Sequence, residues 1–410
     1  MRLMSDVQFM RLALRLARRG YGTASPNPMV GAVLVKSGRI IGRGWHKRAG
    51  GPHAEIEALH DAQRHGHSPR GAILYVTLEP CCTHGRTPPC TDAIIAAGIK
   101  RVVVGTADPN PDHAGKGFKI LQRAGIAVVA SGSAGIPAGK FHFKQNAGTD
   151  AGAPRKLAAE CAALNKAFNH WIVHHTPLVT VKAAMTLDGK IATASGESKW
   201  ITGEKARAYG MKLRQGSDAI LVGVNTILAD DPGLTVRTKM EDGRWKMEKV
   251  IRRIVLDSKA RTPLTAKVVS DEFAASTTIV VSNLASKKRL AALAKRVNVI
   301  IAPDQKVGRA SSRAGSTSQI NLKWLLKKLG SENVTSLLVE GGGEVNASFL
   351  LGGLAQRVAF FYAPKILGGR DSRKAVAGDG ARSLSEIVQL HDIKWKLLGP
   401  DLLLTAQIRG

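Results

Sequence analysis

One imidazole, one carboxylate and two thiols stand at spacings that could do chemistry: His53-Ala54-Glu55, then Glu79-Pro80-Cys81-Cys82-Thr83-His84-Gly85-Arg86-Thr87-Pro88-Pro89-Cys90. A histidine and two thiolates give zinc three protein ligands and leave a fourth position for water, as in catalytic sites. Glu55 sits beside such a metal without having to bind it. A carboxylate there can take a proton from water and hand it to a leaving amine. Taken singly, His-x-Glu could open a solvated helix and Cys-Cys could be a buried pair. In this order they match the His-x-Glu…Pro-Cys-x-x-Cys pattern of zinc deaminases, except that the second half here reads Pro-Cys-x8-Cys. The residue directly after Pro80 takes the ligand role, so Cys81 and Cys90 are expected to bind, Cys82 is spare, and the chain holds about one zinc.

A second set lies in the distal half. An apolar strand ending at Leu256 runs into Asp257-Ser258-Lys259-Ala260-Arg261, and another, Ser336 to Glu340, runs into Gly341-Gly342-Gly343 before a helix over 344–351. Glycines between a strand and a helix let backbone N–H groups approach a pyrophosphate, and the helix dipole favours the anion. The spacing is not G-x-G-x-x-G, so a Rossmann domain is not expected. A triple glycine alone also describes a flexible turn. Its strand–helix context, with Lys259 and Arg261 as partners for a 2′-phosphate, favours NADPH. Lys182 interrupts an otherwise apolar strand, a costly place for an ammonium without an anion to meet.

The elements that must position these groups follow from pattern. Residues 6–19 read as an amphipathic helix ending at Gly20, and Val30–Val35 with Ile40–Gly42 as a hairpin about Ser37-Gly38. Helices are expected from His53, over 91–97 and over 119–124, with strands over 72–78 and 101–105. Strands alternating with helices argue an α/β/α sandwich with a mixed sheet. Residues 131–156 read as linker, 157–168 as a short helix with Cys161 on its core face, and 239–249 and 307–318 as exposed loops. Thr202 is expected to cap a helix reaching Gln215.

The strings Ser25-Pro26-Asn27-Pro28-Met29-Val30-Gly31-Ala32-Val33, His53-Ala54-Glu55, Thr77-Leu78-Glu79-Pro80-Cys81, Thr87-Pro88-Pro89-Cys90 and Asp108-Pro109-Asn110-Pro111 resemble the bifunctional deaminase/reductase family of riboflavin biosynthesis (RibD/RibG). Pro177 to Lys190, Ser195 to Gly203 and Asn225 to Arg237 continue the resemblance. It implies a cytidine-deaminase-like domain over 1–150 and a dihydrofolate-reductase-like α/β domain over 151–410. The first would deaminate a phosphoribosylated diaminopyrimidine, and the second would reduce its ribosyl chain to ribityl with NADPH. By matching position it implies Glu55 and Lys182 as catalytic residues. Asn27, His46, Arg86, Ser198, Arg214, Leu234, Arg237 and Glu340 would meet substrate, with His46 and Arg86 at its phosphate. Ala184, Trp200, Thr226, Asp230, Ser258, Gly342, Gly343, Glu344, Val345, Asn346, Ala347 and Ser348 would meet NADPH. For Asn27 the residues alone also allow a plain turn between two prolines.

Composition narrows the alternatives. At 410 residues two domains are expected. Four cysteines, three of them clustered, give no disulfide framework. Neither a membrane-length apolar run nor a signal core is present, so a cytoplasmic enzyme is expected. The net charge is +29, yet 20 basic and 9 acidic residues in 1–150 leave +11, and 40 and 22 in 151–410 leave +18. A nucleic-acid-binding arm would be local. This even spread, 5% aromatic content and the Pro-Cys-x8-Cys spacing weigh against a nucleic-acid base deaminase and for small phosphorylated substrates. A homo-oligomer is implied by the resemblance alone.

Overall fold

The computed structural model describes residues 4–85, 87–130, 152–239, 245–303 and 320–409. The chain divides into two compact units, Met1–His175 and Thr176–Gly410. In the first, α1 (Asp6–Ala17) precedes the hairpin β1 (Gly31–Lys36) and β2 (Arg39–Trp45). Then come α2 (Ala54–Arg64), β3 (Ile73–Val76), α3 (Cys90–Ala96), β4 (Arg101–Val104), α4 (Lys116–Arg123) and β5 (Ala127–Ala130). The sheet order is β2-β1-β3-β4-β5, antiparallel across β1 and parallel from β3 to β5.

Alternation along the strands sends Val33, Val35, Tyr75 and Val103 to one face, where Phe9, Met10, Ala13 and Leu14 of α1 bury against them. Ala32, Leu34, Leu74, Val76, Val102 and Val104 go to the other, under Ala58, Ile94 and Leu121 of α2, α3 and α4. This is the expected three-layer sandwich. Two glycines set the height of α2 above β2. A Cβ on Gly44 would lie 2.2 Å from the Ala54 carbonyl oxygen, and one on Gly42 2.3 Å from that of Ala58.

The division of the chain falls later than residue 150. After the stretch 131–151, which lies outside the described residues, α5 (Gly152–Leu164) and α6 (Lys166–His174) belong to the first unit, so 152–156 is helix rather than linker. Cys161 is fully buried beside Tyr75 and Val103, and Asn165 clasps Met29, accepting its N–H at 2.8 Å and donating to its carbonyl at 3.0 Å. An apolar helical face needs a core, and the α1 side of the sheet supplies one.

The second unit holds a nine-stranded sheet. In spatial order its strands are Asn298–Ile301, Thr277–Val281, Arg252–Leu256, Ala219–Gly223, Ser336–Val339, Leu178–Thr186, Arg357–Ala363, Asp401–Ile408 and Leu390–Leu398. The first seven run parallel, Asp401–Ile408 runs against them, and Leu390–Leu398 pairs antiparallel with Asp401–Ile408. Apolar clusters lie on both faces, as the near-continuous Val/Ile/Leu runs of these strands require.

Two local elements differ from the pattern expected of them. The stretch 239–249 is not simply a loop: Val236–Lys239 pairs antiparallel with Trp245–Lys249, and its charged residues hid that ribbon in the sequence. Thr202 does not cap the helix Glu204–Gln215. Gly203 takes that position, and its N–H donates to Asp401 Oδ2 at 2.7 Å, a carboxylate far along the chain. Residues 307–318 lie outside the described residues. Among the described residues no helix is long and apolar enough to cross a membrane.

Candidate active sites

Helix α2 starts at Ala54, with His53 at its N-cap in extended conformation (φ −73°, ψ 165°). The chain leaving β3 reaches Cys81, and Cys90 opens α3. His53 Nδ1 lies 3.4 Å from Cys81 Sγ and 3.3 Å from Cys90 Sγ, and the three donor atoms all fall within 4.8 Å of one another. Tetrahedral zinc with Zn–N about 2.0 Å and Zn–S about 2.3 Å needs N···S edges of about 3.6 Å, so this donor set fits the ion. Cys82 is partly buried and outside the group, its thiol pushed up by burial.

The Cys81 thiol is drawn down to about 4, first by its hydrogen bond with Cys90 and then by His53. The Cys90 thiol is pushed up, chiefly by Cys81, and His53 is raised by the same neighbour. Zinc binding releases such protons, since it takes thiolate and neutral imidazole. Glu55, in the first turn of α2, is 3% exposed. Burial, and then the charge on Cys81, push its carboxyl up to about 7. A carboxyl there can both accept and release a proton near neutrality.

Asn27 lies beside this group, its Nδ2 3.1 Å from His46 Nε2. Its backbone N–H closes a turn onto Ala24 O, so it is also the turn residue that its flanking prolines suggested. His46 is not placed to meet a phosphate. It is 2% exposed, packs edge-on against His53 with centroids 5.2 Å apart, and engages both ring nitrogens, Nδ1 with Pro52 O at 3.0 Å and Nε2 with Asn27. Burial lowers its basicity, so the neutral ring donates from Nδ1 and accepts at Nε2. Arg86 lies outside the described residues.

In the second unit the parallel strands bring their carboxyl ends to one edge, where open α/β sheets bind ligands. Lys182, one residue beyond the Val181–Val339 pair, places Nζ 3.4 Å from Glu340 Oε2. Arg214, from the helix Glu204–Gln215, grips Glu340 with Nε (2.8 Å) and Nη2 (3.0 Å) and donates from Nη1 to Thr235 O. Burial would raise the Glu340 carboxyl, but Arg214 and then Lys182 outweigh it and hold it at about 2. Ala184 lies on the same strand as Lys182, and Ser198 Oγ donates to Asp230 Oδ1 at 3.4 Å. Trp200 is 67% exposed with Arg207 over its ring at 4.7 Å.

Gly342 is the N-cap of the helix Gly343–Leu350 and has open space where a Cβ would stand. Glu344 and Ser348 share one side of this helix, Ser348 Oγ donating to Glu344 O. Val345 fills the space above Gly341 and Gly223, while Asn346 and Ala347 are buried, Asn346 donating to Ala375 O. Those three shape the seat of the glycine turn. Thr226 lies in the helix Val224–Asp230, Ser258 follows the strand Arg252–Leu256, and Arg261 is held by Asn225 Oδ1 at 2.8 Å. Leu234 packs its side chain into the core, so its backbone alone can face a ligand, and Arg237 is exposed.

Sequence reasoning passed over Arg253. It is 1% exposed and spends every N–H, on Asp271 twice, on Thr277 Oγ1, on Val268 O and on Gly233 O, which fixes the turn before Leu234. An arginine inside an apolar strand was the available signal, as it was for Lys182.

Comparison with known proteins agrees with both halves. The family model "Cytidine and deoxycytidylate deaminase zinc-binding region" matches residues 4–106, and "RibD C-terminal domain" matches 177–404. The chain is 42% identical to "Riboflavin biosynthesis protein RibD" of Aquifex aeolicus, over 97% of each chain. Among solved structures, Acinetobacter baumannii RibD superposes with a TM-score of 0.77 at 33% identity over 99% of both chains. A Thermotoga maritima protein titled a diaminohydroxyphosphoribosylaminopyrimidine deaminase/5-amino-6-(5-phosphoribosylamino)uracil reductase does so with 0.73 at 32%, over 98% of this chain and 99% of that one. With a zinc-binding deaminase unit followed by a reductase unit, the chain belongs to the RibD family of bifunctional deaminase/reductases of riboflavin biosynthesis.

Proposed function

We propose that the first unit removes an amino group from a phosphoribosylated diaminopyrimidine, and that the second reduces the ribose of the deaminated product to ribityl with NADPH. The observation that carries the reading is the convergence of His53 Nδ1 and the Cys81 and Cys90 thiols beside the buried Glu55 carboxyl. His53, Cys81 and Cys90 would hold zinc, which when bound makes water acidic near neutral pH. Glu55 takes a proton as water adds to the amino-bearing ring carbon and passes it to the ring nitrogen. It then carries the hydroxyl proton to the amine, so that ammonia leaves and a carbonyl remains. Asn27, held by His46, offers its amide to the pyrimidine edge.

In the second unit Gly342, Gly343, Ser258 and Arg261 would hold NADPH, which supplies the hydride. Lys182 protonates the sugar ring oxygen as its bond to C1 opens, and C1 is left as the hydride acceptor. Glu340 accepts a hydrogen bond from Lys182, and Arg214 holds Glu340 in place. The evenly spread positive charge suits small phosphorylated pyrimidines rather than nucleic acid or a membrane, in a cytoplasmic homo-oligomer. Glu55→Gln in the full chain tests the deaminase assignment: zinc content stays at wild type while ammonia release falls by about 10²–10⁴-fold. Ammonia release near the wild-type rate from a zinc-replete variant removes Glu55 from the mechanism.

A further inference from the structure

The motif Asp108-Pro109-Asn110-Pro111 lies in a turn that one buried carboxylate fastens. Glu79, 4% exposed, accepts the backbone N–H of Asp108 (3.1 Å), Gly115 (3.1 Å) and Gly117 (3.0 Å). Inside the turn Asp108 Oδ1 accepts the N–H of Asn110, and Asn110 O accepts those of His113 and Ala114. Gly117 closes it against Pro80 O, where a Cβ would come within 2.5 Å.

This winding delivers one imidazole. His113 places Nε2 2.9 Å from Thr83 Oγ1, and Nδ1 faces Asp108 Oδ2 at 3.6 Å. Thr83 lies in the loop that joins the two thiol ligands. Towards its other end that loop sets Thr87 Oγ1 3.5 Å from His53 Nε2, the ring nitrogen opposite the one that meets the thiols. Thr83, His84 and Gly85 are exposed, so core packing does not order this part of the loop.

We propose that His113 is a positioning residue of the deaminase. Through Thr83 it ties the loop between Cys81 and Cys90 to the turn that Glu79 fastens, and so holds Thr87 and the His53 ring in register. It touches no reacting atom. Outer partners of this kind commonly change metal affinity or activity by about 10–100-fold when removed. The proposal rests on His53, Cys81 and Cys90 being the metal site, so zinc in the wild-type chain is measured first; its absence would overturn that reading and not this one.

The test uses the zinc-loaded full chain and the variants His113→Ala, Thr83→Val, the double variant and His113→Gln. Expected for each single removal are zinc release to a chelator about 10-fold faster, a rise in KM for the pyrimidine larger than the fall in kcat, and unchanged reduction. The double variant should be no worse than His113→Ala, because both changes remove one contact. His113→Gln, which keeps a polar nitrogen near the Nε2 position, should recover most of the loss. Wild-type zinc release and KM in His113→Ala would overturn the proposal, as would additive effects in the double variant. A parallel fall in reduction would overturn it in favour of a folding role. Should His113→Ala fail to fold, Thr83→Val, altered at an exposed position, decides: unchanged zinc release in that variant ends the idea.

Discussion

At the deaminase site the ionisable groups titrate against one another: the Cys81 thiol is drawn down to about 4 by Cys90 and His53, while the buried Glu55 carboxyl is pushed up to about 7. The reductase site is arranged the other way, with the Glu340 carboxylate already shared between Lys182 and Arg214. A site built to take a dication keeps its ligand groups close enough to share protons that the metal displaces. A site built to hold an ammonium at one place keeps it paired. The first should therefore fail by losing its metal, and the second by losing the carboxylate that its two cations share.

The largest effect should come from Cys81→Ser, which strips zinc and lowers ammonia release by on the order of 10³-fold or more. Cys82→Ser should keep both, and in each variant NADPH oxidation with supplied deaminated substrate should stay near wild type. Metal analysis beside the two rates checks this. Equal zinc loss in the two variants would mean that the wrong neighbour is the ligand, and loss of reduction from a still-folded chain would end the contrast between the sites.

Lys182→Ala should cut reduction by about 10²-fold while ammonia release continues. Its counterpart Glu340→Gln should cost more in stability than Lys182→Ala, about 3–5 kcal/mol, because it leaves the buried Arg214 unpaired. Both rates and the melting temperature, taken on one preparation, separate chemistry from folding. A folded Lys182→Ala chain that reduces at the wild-type rate removes Lys182 from catalysis.

The smallest effect is in acid. Glu340 is held at about 2, below the ordinary carboxylate value of 4.5. A depressed carboxyl contributes stability that is complete above its unfolded value and is lost as pH falls through the folded one. The second unit should therefore lose this contribution between about pH 4.5 and 2, and Glu340→Gln should flatten that part of its melting-temperature profile. An identical slope in wild type and variant would show that other carboxylates govern the acid limb.

The same contrast explains what was legible in the sequence. His53, Glu55, Cys81 and Cys90 fall in two short strings, so local spacing names them, and alternation with helical periodicity names the layers around them. The surroundings of His46 are not legible in the same way, because a histidine's role depends on what its two ring nitrogens meet, and Pro52 O and Asn27 come together only on folding. Glu340 and Arg214 are 126 residues apart, and only resemblance linked them beforehand. The helix caps show the same limit. Thr202 had the right side chain for its place, but Asp401 reaches Gly203 across the fold.

Gly42 and Gly44 give the catalytic helix a bed of bare backbone, and His53 and Glu55 both ride on its first turn. Ligand and proton carrier therefore move as one body, and any side chain added beneath them lifts both by a similar amount. In a survey of natural or random variants, alanine at 42 or 44 would score like an active-site lesion, although neither glycine touches metal or substrate. A search for inactive alleles that looked at chemically active residues alone would pass over both.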